Sequence, residues 1–246
     1  MQLIIYNLLL TLSNVKQKTA LAISVVALVL IIDQCVKLYI KTHFILGEEI
    51  NVFSWFKIHF VENQGMAFGM ELGGDHGKFA LTSFRILALG GIVYMLRQLI
   101  NKPETSMGMV ACIALILAGA AGNIIDSIIY GILFSDSVGQ VAKFLPAEGG
   151  YAPLLHGKVV DMLYFPLYDG FLPNWIPFWG SKYFMFFRPV FNVADSAISI
   201  GVAMLLLFQR SFFATVETPP KAESQPTTEP NTDQQALNNE RSDINQ

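Results

Sequence analysis

Four apolar segments, each about the length of a membrane-crossing helix, constrain this chain more than any other feature of its sequence. The hydrocarbon core of a bilayer is about 30 Å thick and is crossed by about 20 apolar residues in a helix. Segments of this kind occur at residues 20–40, 79–99, 106–125 and 190–208. Only 14% of the 246 residues are charged and 53% are hydrophobic, which excludes an ordinary soluble domain. We therefore expect an all-α membrane protein built on a bundle of four transmembrane helices.

The N-terminal region is compatible with two interpretations. Lys16 and Lys18 precede the first apolar segment, as in a secretory signal, but no small-x-small cleavage pattern follows it. A retained first membrane helix is the favoured interpretation. The apolar residues 1–12 are compatible with a separate interfacial helix, and the sequence does not decide this point.

Basic residues predict the orientation of the bundle. They precede the first span, separate the second from the third and follow the fourth: Lys16, Lys18, Arg97, Lys102 and Arg210. The positive-inside rule makes these places, and both termini, cytoplasmic. Residues 41–78 and 131–188 would then face outward as long loops. The first of them is rich in β-branched and aromatic residues, which predict a small extracytoplasmic β platform.

The sequence divides into a membrane domain, residues 1–213, and a polar tail, residues 214–246. The tail holds six acidic and two basic residues and is rich in Pro, Gln, Thr and Asn, so we expect a disordered cytoplasmic tail without a catalytic role. The membrane domain keeps 14 basic (16 − 2) and 13 acidic (19 − 6) residues, or +1, which indicates no nucleic-acid surface. Cys35 and Cys112 lie in separate apolar segments and are interpreted as packed thiols.

Ionisable and amide side chains cluster at the outer ends of three predicted helices. They are Asp33 and Lys37 in the first, Asn123 and Asp126 in the third, and Asn192 and Asp195 in the fourth. Each pair is three or four residues apart and shares one helix face. Helix caps or buried ion pairs would explain any single one of these three residue pairs. A charge at a helix centre costs about 2.5–3.5 kcal/mol on insertion scales, so the common depth of all three pairs favours a functional site.

The motifs that are absent limit the chemistry of such a site. The four histidines lie in outward loops without a serine and aspartate partner set, and no HExxH, CxxC or P-loop pattern occurs, so we expect no metal and no cofactor. Paired carboxylates remain. Two close aspartates share one proton, so that one deprotonates a water while the other polarises a scissile carbonyl. Depth in the membrane alone would pair Asp126 with Asp195.

Five sequence blocks, in order, resemble those of the bacterial lipoprotein signal peptidase family. The blocks are DQCVK at 33–37, NQGMAFG at 63–69, GAAGNIID at 119–126, GKVVDM at 157–162 and FNVADSAISIG at 191–201. They resemble the family's D-Q-x-x-K, N-x-G-A-A-F, G-x-x-G-N-x-x-D, G-x-V-V-D-F and F-N-x-A-D-x-x-I-x-x-G, with Met66 where alanine is usual. One block alone would be weak, but five in the right order on the predicted helices and outer loops form a specific match.

The resemblance implies an aspartyl endopeptidase of the bacterial inner membrane. It would remove the signal peptide from diacylglyceryl-modified prolipoproteins, cutting just before the lipidated cysteine at the outer face. The implied catalytic pair is Asp161 and Asp195. The implied supporting or substrate-binding residues are Asp33, Lys37, Asn63, Gly65, Asn123, Asp126 and Asn192. We expect prolipoproteins and membrane lipid as partners, and a monomer.

Two departures from the family pattern affect these expectations. Ser127 stands where the family has arginine, so a salt-bridge tether is either missing or supplied by another cation such as Lys158 or Arg188. The outer segments near 132–156 and 166–188 are insertions, and they would reshape access to the cleft or form a lid or partner surface.

Two rival functions are compatible with parts of the sequence. In a transporter or proton-conducting module Asp33, Asp126 and Asp195 would line an ion path, but the almost wholly apolar residues 109–117 and 202–208 argue against one. A non-catalytic assembly partner is suggested only by Ser127 and the insertions. The retained acids at positions 161 and 195 argue against it.

Overall fold

Long helices dominate the fold, in a computed structural model that describes residues 2–65 and 74–213. The helices are α1 (Gln2–His43), α2 (Gly74–Asn101), α3 (Met107–Ile125), α4 (Gly131–Leu133) and α5 (Val193–Phe213), with a π-helical turn at Asp126–Tyr130 that joins α3 to α4. α1 has 42 residues, about twice the number that a bilayer core needs. It is continuous from Gln2, so residues 2–12 form no separate interfacial helix. The predicted tail, residues 214–246, lies outside the described residues.

Three helices are long and apolar enough to cross a membrane. These candidate spans are Thr11–His43, His76–Asn101 and Met107–Leu133, and α5 adds the shorter apolar segment Val193–Phe208. Large apolar side chains such as Leu28, Leu87 and Leu207 are exposed on their outer surfaces. An apolar surface of this kind is stable when lipid covers it. The structure is therefore that of a membrane protein with three long apolar helices and one shorter helix.

α3 lies at the centre of the helical part and packs against α1, α2 and α5. Most of its buried side chains are small or β-branched, as at Val110, Ala114 and Ala118. Small residues also line its contact with α5, where a Cβ built on Gly201 would lie 2.8 Å from the backbone oxygen of Cys112. Helices in lipid associate largely through such close packing. This packing brings the polar ends of α1, α3 and α5 together.

Beyond the helices, the chain forms a four-stranded antiparallel sheet in the order β1–β2–β3–β6. The strands are β1 (Glu49–Phe53), β2 (Phe56–Asn63), β3 (Val159–Tyr164) and β6 (Val190–Phe191). The prediction of a small β platform is confirmed. The prediction of an all-α class is wrong, because both outer segments contribute β-branched and aromatic strands to this sheet and the fold is mixed.

The two inserted segments differ in structure. Residues 134–158 form an irregular loop held by isolated bridges, one of them between Phe134 and Phe144. Residues 168–186 form a hairpin of β4 (Tyr168–Phe171) and β5 (Tyr183–Phe186), a separate two-stranded sheet. Asp161 belongs to the segment that was predicted to be an outward loop, but it lies in β3, between these insertions.

Candidate active site

Helix α5 begins with a reciprocal cap formed by Asn192 and Asp195. The amide nitrogen of Asp195 donates to Asn192 Oδ1 at 2.9 Å, and the amide nitrogen of Asn192 donates to Asp195 Oδ2 at 3.3 Å. This is a capping box, which satisfies backbone donors that the first turn of a helix leaves unpaired. The cap fixes the Asp195 carboxylate at the start of α5, where it is half-buried.

Asp161 reaches the same place from the sheet. It pairs with Val61 across the β2–β3 ladder, in the middle of the four-stranded sheet. Its side chain is 3% exposed. Asn192 Nδ2 donates to Asp161 Oδ1 at 2.6 Å, and Asn63 Nδ2 donates to Asp161 Oδ2 at 3.3 Å. One residue, Asn192, therefore contacts both carboxylates.

A third amide, that of Asn123 on α3, completes the set. Asn123 Nδ2 donates to Asp195 Oδ1 at 2.7 Å, and Asn123 Oδ1 accepts from Asn192 Nδ2 at 3.0 Å. Each of the four carboxylate oxygens of Asp161 and Asp195 thus accepts a hydrogen bond from an amide. Side chains fixed in this way are preorganised for chemistry and need little rearrangement when a substrate arrives.

The environment of Asp161 changes its proton affinity. Burial, followed by the negative charge of Asp195, raises the pKa of Asp161 to about 7. Hydrogen bonds from Asn63 and Asn192 and the charge of Lys37 oppose this rise. A carboxyl group with a pKa near neutrality can hold or release a proton under physiological conditions.

Lys37 binds three of the predicted site residues and is connected to Asp195 through Asn123. Its Nζ is 2.9 Å from Asp33 Oδ2 and 2.8 Å from Asp126 Oδ2, and it donates to Asn123 Oδ1 at 2.9 Å. All three charged side chains are fully buried. Asp33 Oδ1 accepts from the amide nitrogen of Ala194 at 2.9 Å. We call Lys37, Asp33, Asp126 and Asn123 the Lys37 cluster.

Asp126 connects this cluster to β3, the strand that carries Asp161. Its Oδ2 accepts from the amide nitrogen of Val160 at 3.2 Å, and its Oδ1 accepts from Gln34 Nε2 at 3.0 Å. Gly157 permits the approach of the chain to α3, because a Cβ there would collide with the backbone oxygen of Asp126. The contacts of Asp126 are those of a residue that supports the site.

The structure brings together all of the predicted acids and amides, while Gly65 lies at their edge. Gly65 has a φ of 95° and donates its amide proton to Asn63 Oδ1 at 2.8 Å, so it orders an amide that contacts Asp161.

The cations suggested as substitutes for the family arginine, Lys158 and Arg188, do not pair with Asp126. Lys158 pairs with Glu62 at 3.2 Å, and Lys37 is the cation that contacts Asp126. Arg188 forms no ion pair within the described residues.

Two basic residues near the site were missed in the sequence. Arg85 on α2 donates to the backbone oxygen of Gly65 and interacts electrostatically with Asp195. Lys78 on α2 donates to the backbone oxygen of Gln64 at 2.6 Å. Arg85 could have been predicted from the sequence, because a charge inside an apolar span is energetically costly and marks a functional site or a buried partner.

Within the part of the chain that the structure describes, the His, Cys, Asp and Glu side chains form no group of three that could hold a metal ion. The candidate site brings together the carboxyls of Asp161 and Asp195 and the side-chain amides of Asn63, Asn123 and Asn192.

Comparison with known proteins identifies the family. The family model for signal peptidase (SPase) II matches residues 25–211 of the chain. The chain belongs to the signal peptidase II family. A lipoprotein signal peptidase of Porphyromonas gingivalis (strain ATCC 33277) is 52% identical over 184 residues, which cover 75% of this chain and 80% of that protein. One of Amoebophilus asiaticus is 37% identical over 187 residues, with 75% of each chain covered.

A solved structure shares the fold of this chain. A bacterial membrane enzyme, determined by the in meso method, matches with a TM-score of 0.50 and 24% identity, covering 81% of this chain and 94% of that one. Signal peptidase II is an aspartic peptidase that cleaves signal peptides from prolipoproteins. Family membership and the candidate membrane spans confirm the predictions of an aspartic peptidase, a membrane protein and prolipoprotein substrates.

Proposed function

We propose that Asp161 and Asp195 are the catalytic pair and that they share one proton. The observation that carries this proposal is the bridge through Asn192, which contacts Asp161 Oδ1 at 2.6 Å and Asp195 Oδ2 at 3.3 Å. Asp126, the other partner that depth in the membrane suggested, is fully buried and bound to Lys37. It has no free face for substrate.

Each acid has a separate role in this mechanism. Asp195, stabilised as an anion by Asn123 and by the N-terminus of α5, takes a proton from the attacking water. Asp161, protonated, transfers its proton to the scissile carbonyl oxygen as the water oxygen bonds to the carbonyl carbon, which gives a tetrahedral gem-diol intermediate. Cleavage of the C–N bond then moves a proton from Asp195 to the leaving amine, and Asp161 recovers its own proton.

The substrate fits this site if the polar ends of α1, α3 and α5 face outward. Lys16 lies in the N-terminal half of α1, and Arg97 and Lys102 lie at the end of α2 and just after it, away from these polar ends. The positive-inside rule makes these places cytoplasmic. α5 would then be the fourth span, and both termini would be cytoplasmic. The signal helix of a prolipoprotein would lie among the helices in lipid, with its bond before the diacylglyceryl-cysteine beside the two acids.

Replacement of either acid by asparagine tests the proposal. Asp161→Asn and Asp195→Asn remove a titratable oxygen with almost no change in volume, so cleavage of a diacylglyceryl-modified prolipoprotein should fall by roughly 10³-fold or more. The double variant should be little worse than either single one, because the two groups act as a unit. Gel-shift kinetics with purified enzyme in detergent micelles measure the rates.

Asp136→Asn is the matched control, because Asp136 is an exposed aspartate of the outer loop that caps the amide of Val138 at 2.9 Å. It should cleave at the unsubstituted rate. Thermal unfolding of each variant shows whether it is folded. Substantial turnover by a folded Asp195→Asn enzyme would remove the proposed pair from the mechanism.

A further inference from the structure

The β4–β5 hairpin ends in an exposed aromatic turn that the catalytic mechanism does not use. We define the aromatic tip as residues 171–182. Trp175, Phe178 and Trp179 in this tip are 80%, 92% and 58% exposed. Residues 172–181 contain no charged side chain. A contiguous apolar surface of this kind on a folded protein marks a place that something else covers.

The tip is an ordered turn. Leu172 and Lys182 close it with a backbone hydrogen bond of 2.9 Å, and Gly180 donates to the backbone oxygen of Ile176 at 2.9 Å. Phe178 and Ser181 have φ angles of 65° and 60°, in the left-handed region that side chains rarely adopt. A strained backbone therefore holds the most exposed aromatic ring outward, and strain of this kind is typical of functional segments.

The chemistry of the tip matches that of a lipid headgroup layer. Tryptophan and phenylalanine beside basic residues are typical of the membrane–water interface. Lys182 Nζ lies 5.8 Å from the centroid of the Trp179 ring, which suits a lysine that extends from an apolar surface toward phosphate. The hairpin also leads through β6 into α5, whose exposed apolar residues Ile200 and Val202 belong to the lipid-facing surface.

We propose that the aromatic tip inserts into the headgroup region of the membrane leaflet that borders the catalytic site. The tip lies on the chain between Asp161 and Asp195, and the Tyr164 hydroxyl contacts Met185 Sδ at 3.5 Å, which connects β5 to the catalytic strand. Lipid contact thus holds the segment between the two acids at the membrane surface. The lipid contact itself does not depend on the catalytic proposal above.

The tryptophans provide the test, since the sequence has only three: Trp55, Trp175 and Trp179. Trp55→Phe leaves fluorescence from the tip alone. This variant is reconstituted in vesicles of phosphatidylethanolamine and phosphatidylglycerol, with and without phosphatidylcholine brominated on its acyl chains. We expect blue-shifted emission, strong quenching by the brominated lipid and weak quenching by aqueous acrylamide. The double variant Trp175→Phe/Trp179→Phe reports Trp55 in the same vesicles and controls for reconstitution.

Each other outcome overturns the proposal. Water-like emission with strong acrylamide quenching means that the tip projects into solvent. Emission shielded from both quenchers means that protein covers the tip, either a partner or the site itself. Both readouts are independent of peptidase activity, so they remain informative if the catalytic proposal fails.

A kinetic experiment tests the consequence of lipid contact and rests on the peptidase function. Phe178→Asp places a charge in the proposed lipid contact and should raise the KM for a vesicle-embedded prolipoprotein about tenfold with little change in kcat, since the acids are untouched. Phe178→Tyr, which keeps an interfacial ring, should behave like the unsubstituted enzyme. An unchanged KM for Phe178→Asp, together with retained quenching in the Trp55→Phe background, would overturn the role of the tip.

Discussion

Two lysines one turn apart on α1 are both fully buried, but the clusters around them have opposite ratios of acidic to basic side chains. Lys37 is one cation between two acids, Asp33 and Asp126. Lys41 belongs to a cluster with one acid and two cations, in which Glu62 pairs with Lys41 and, at 3.2 Å, with Lys158. The Lys37 cluster joins helices to each other and reaches Asp195 through Asn123. The Lys41 cluster joins α1 to the sheet and to the inserted outer loop.

The surroundings of the two lysines differ as well. Lys41 lies among the rings of Phe60, Phe134 and Tyr151, the last at 4.7 Å from its Nζ to the centroid, and donates to Ser137 Oγ at 2.8 Å. Within the described residues, the charged and hydrogen-bonding partners of Lys37 all belong to the predicted sequence blocks. The comparison shows that Lys37 connects residues of the predicted sequence blocks, whereas Lys41, one turn further along α1, connects that helix to β2 and to the outer loop.

Lys37→Met should produce the largest effect. It leaves two buried carboxylates without the cation that pairs with both, and breaking a buried pair costs about 3–5 kcal/mol of stability. Folded enzyme should also cleave more slowly, because Asn123 loses the donor that orients it toward Asp195. Thermal unfolding in detergent and prolipoprotein cleavage measure the two losses.

Lys16→Met is the control for this change, since Lys16 lies exposed on the same helix. It should leave both quantities unchanged. A Lys37→Met enzyme as stable as the Lys16→Met enzyme would show that the Lys37 cluster contributes nothing to the fold.

Lys41→Met should have a smaller effect, confined to stability. Glu62 keeps Lys158 and the Ser137 hydroxyl, at 3.2 Å each, so its charge stays compensated and the loss should be about 1–3 kcal/mol. The folded enzyme should retain its kcat, because no side chain of the Lys41 cluster contacts Asp161 or Asp195 in the described part of the chain. A fall in kcat as large as that of Lys37→Met would erase the distinction between the two clusters.

The smallest expected effect is a shift in pH dependence. The mechanism needs a proton on Asp161, whose pKa burial raises to about 7, so turnover should decline as pH rises through that value. Lys37 is among the groups that lower this pKa. Lys37→Met should therefore move the alkaline limb upward by roughly a few tenths of a pH unit, since its contribution is minor.

Lys41→Met should leave the alkaline limb in place. Rate profiles over the neutral and alkaline range measure both variants, and the apparent pKa belongs to the coupled pair of acids. A downward shift for Lys37→Met would contradict the assignment of Asp161 as the protonated acid.

The helical part of the fold follows from the sequence because apolar length is a strong constraint in lipid. The spacing of Asp33 and Lys37 predicts an ion pair on one face, and the structure has it at 2.9 Å. The first outer segment carried a strand signal, but the strands of the second outer segment were not predicted, and for this reason the all-α class was wrong. β3 becomes a strand through its ladder with β2, which lies about 100 residues earlier in the chain.

The same reason explains what was missed at the site. Depth in the membrane orders helix ends but says nothing about a strand, so Asp161 could be assigned only through the family resemblance. The Lys41 cluster was missed because Glu62 and Ser137 lie on a strand and on an insertion, 21 and 96 residues away from Lys41. Neither distance leaves a periodic pattern in the sequence.

The bond between Asp33 and the amide of Ala194 joins residues 161 positions apart, and this has a consequence for how the enzyme is made. α1 is synthesised first, but one of its buried acids gains this partner only after α5 has been synthesised. Asn192 and Asp195 are added to the candidate site at the same time. A chain that still lacks α5 therefore has no assembled candidate site, and we expect peptidase activity to begin only after α5 has packed against α1.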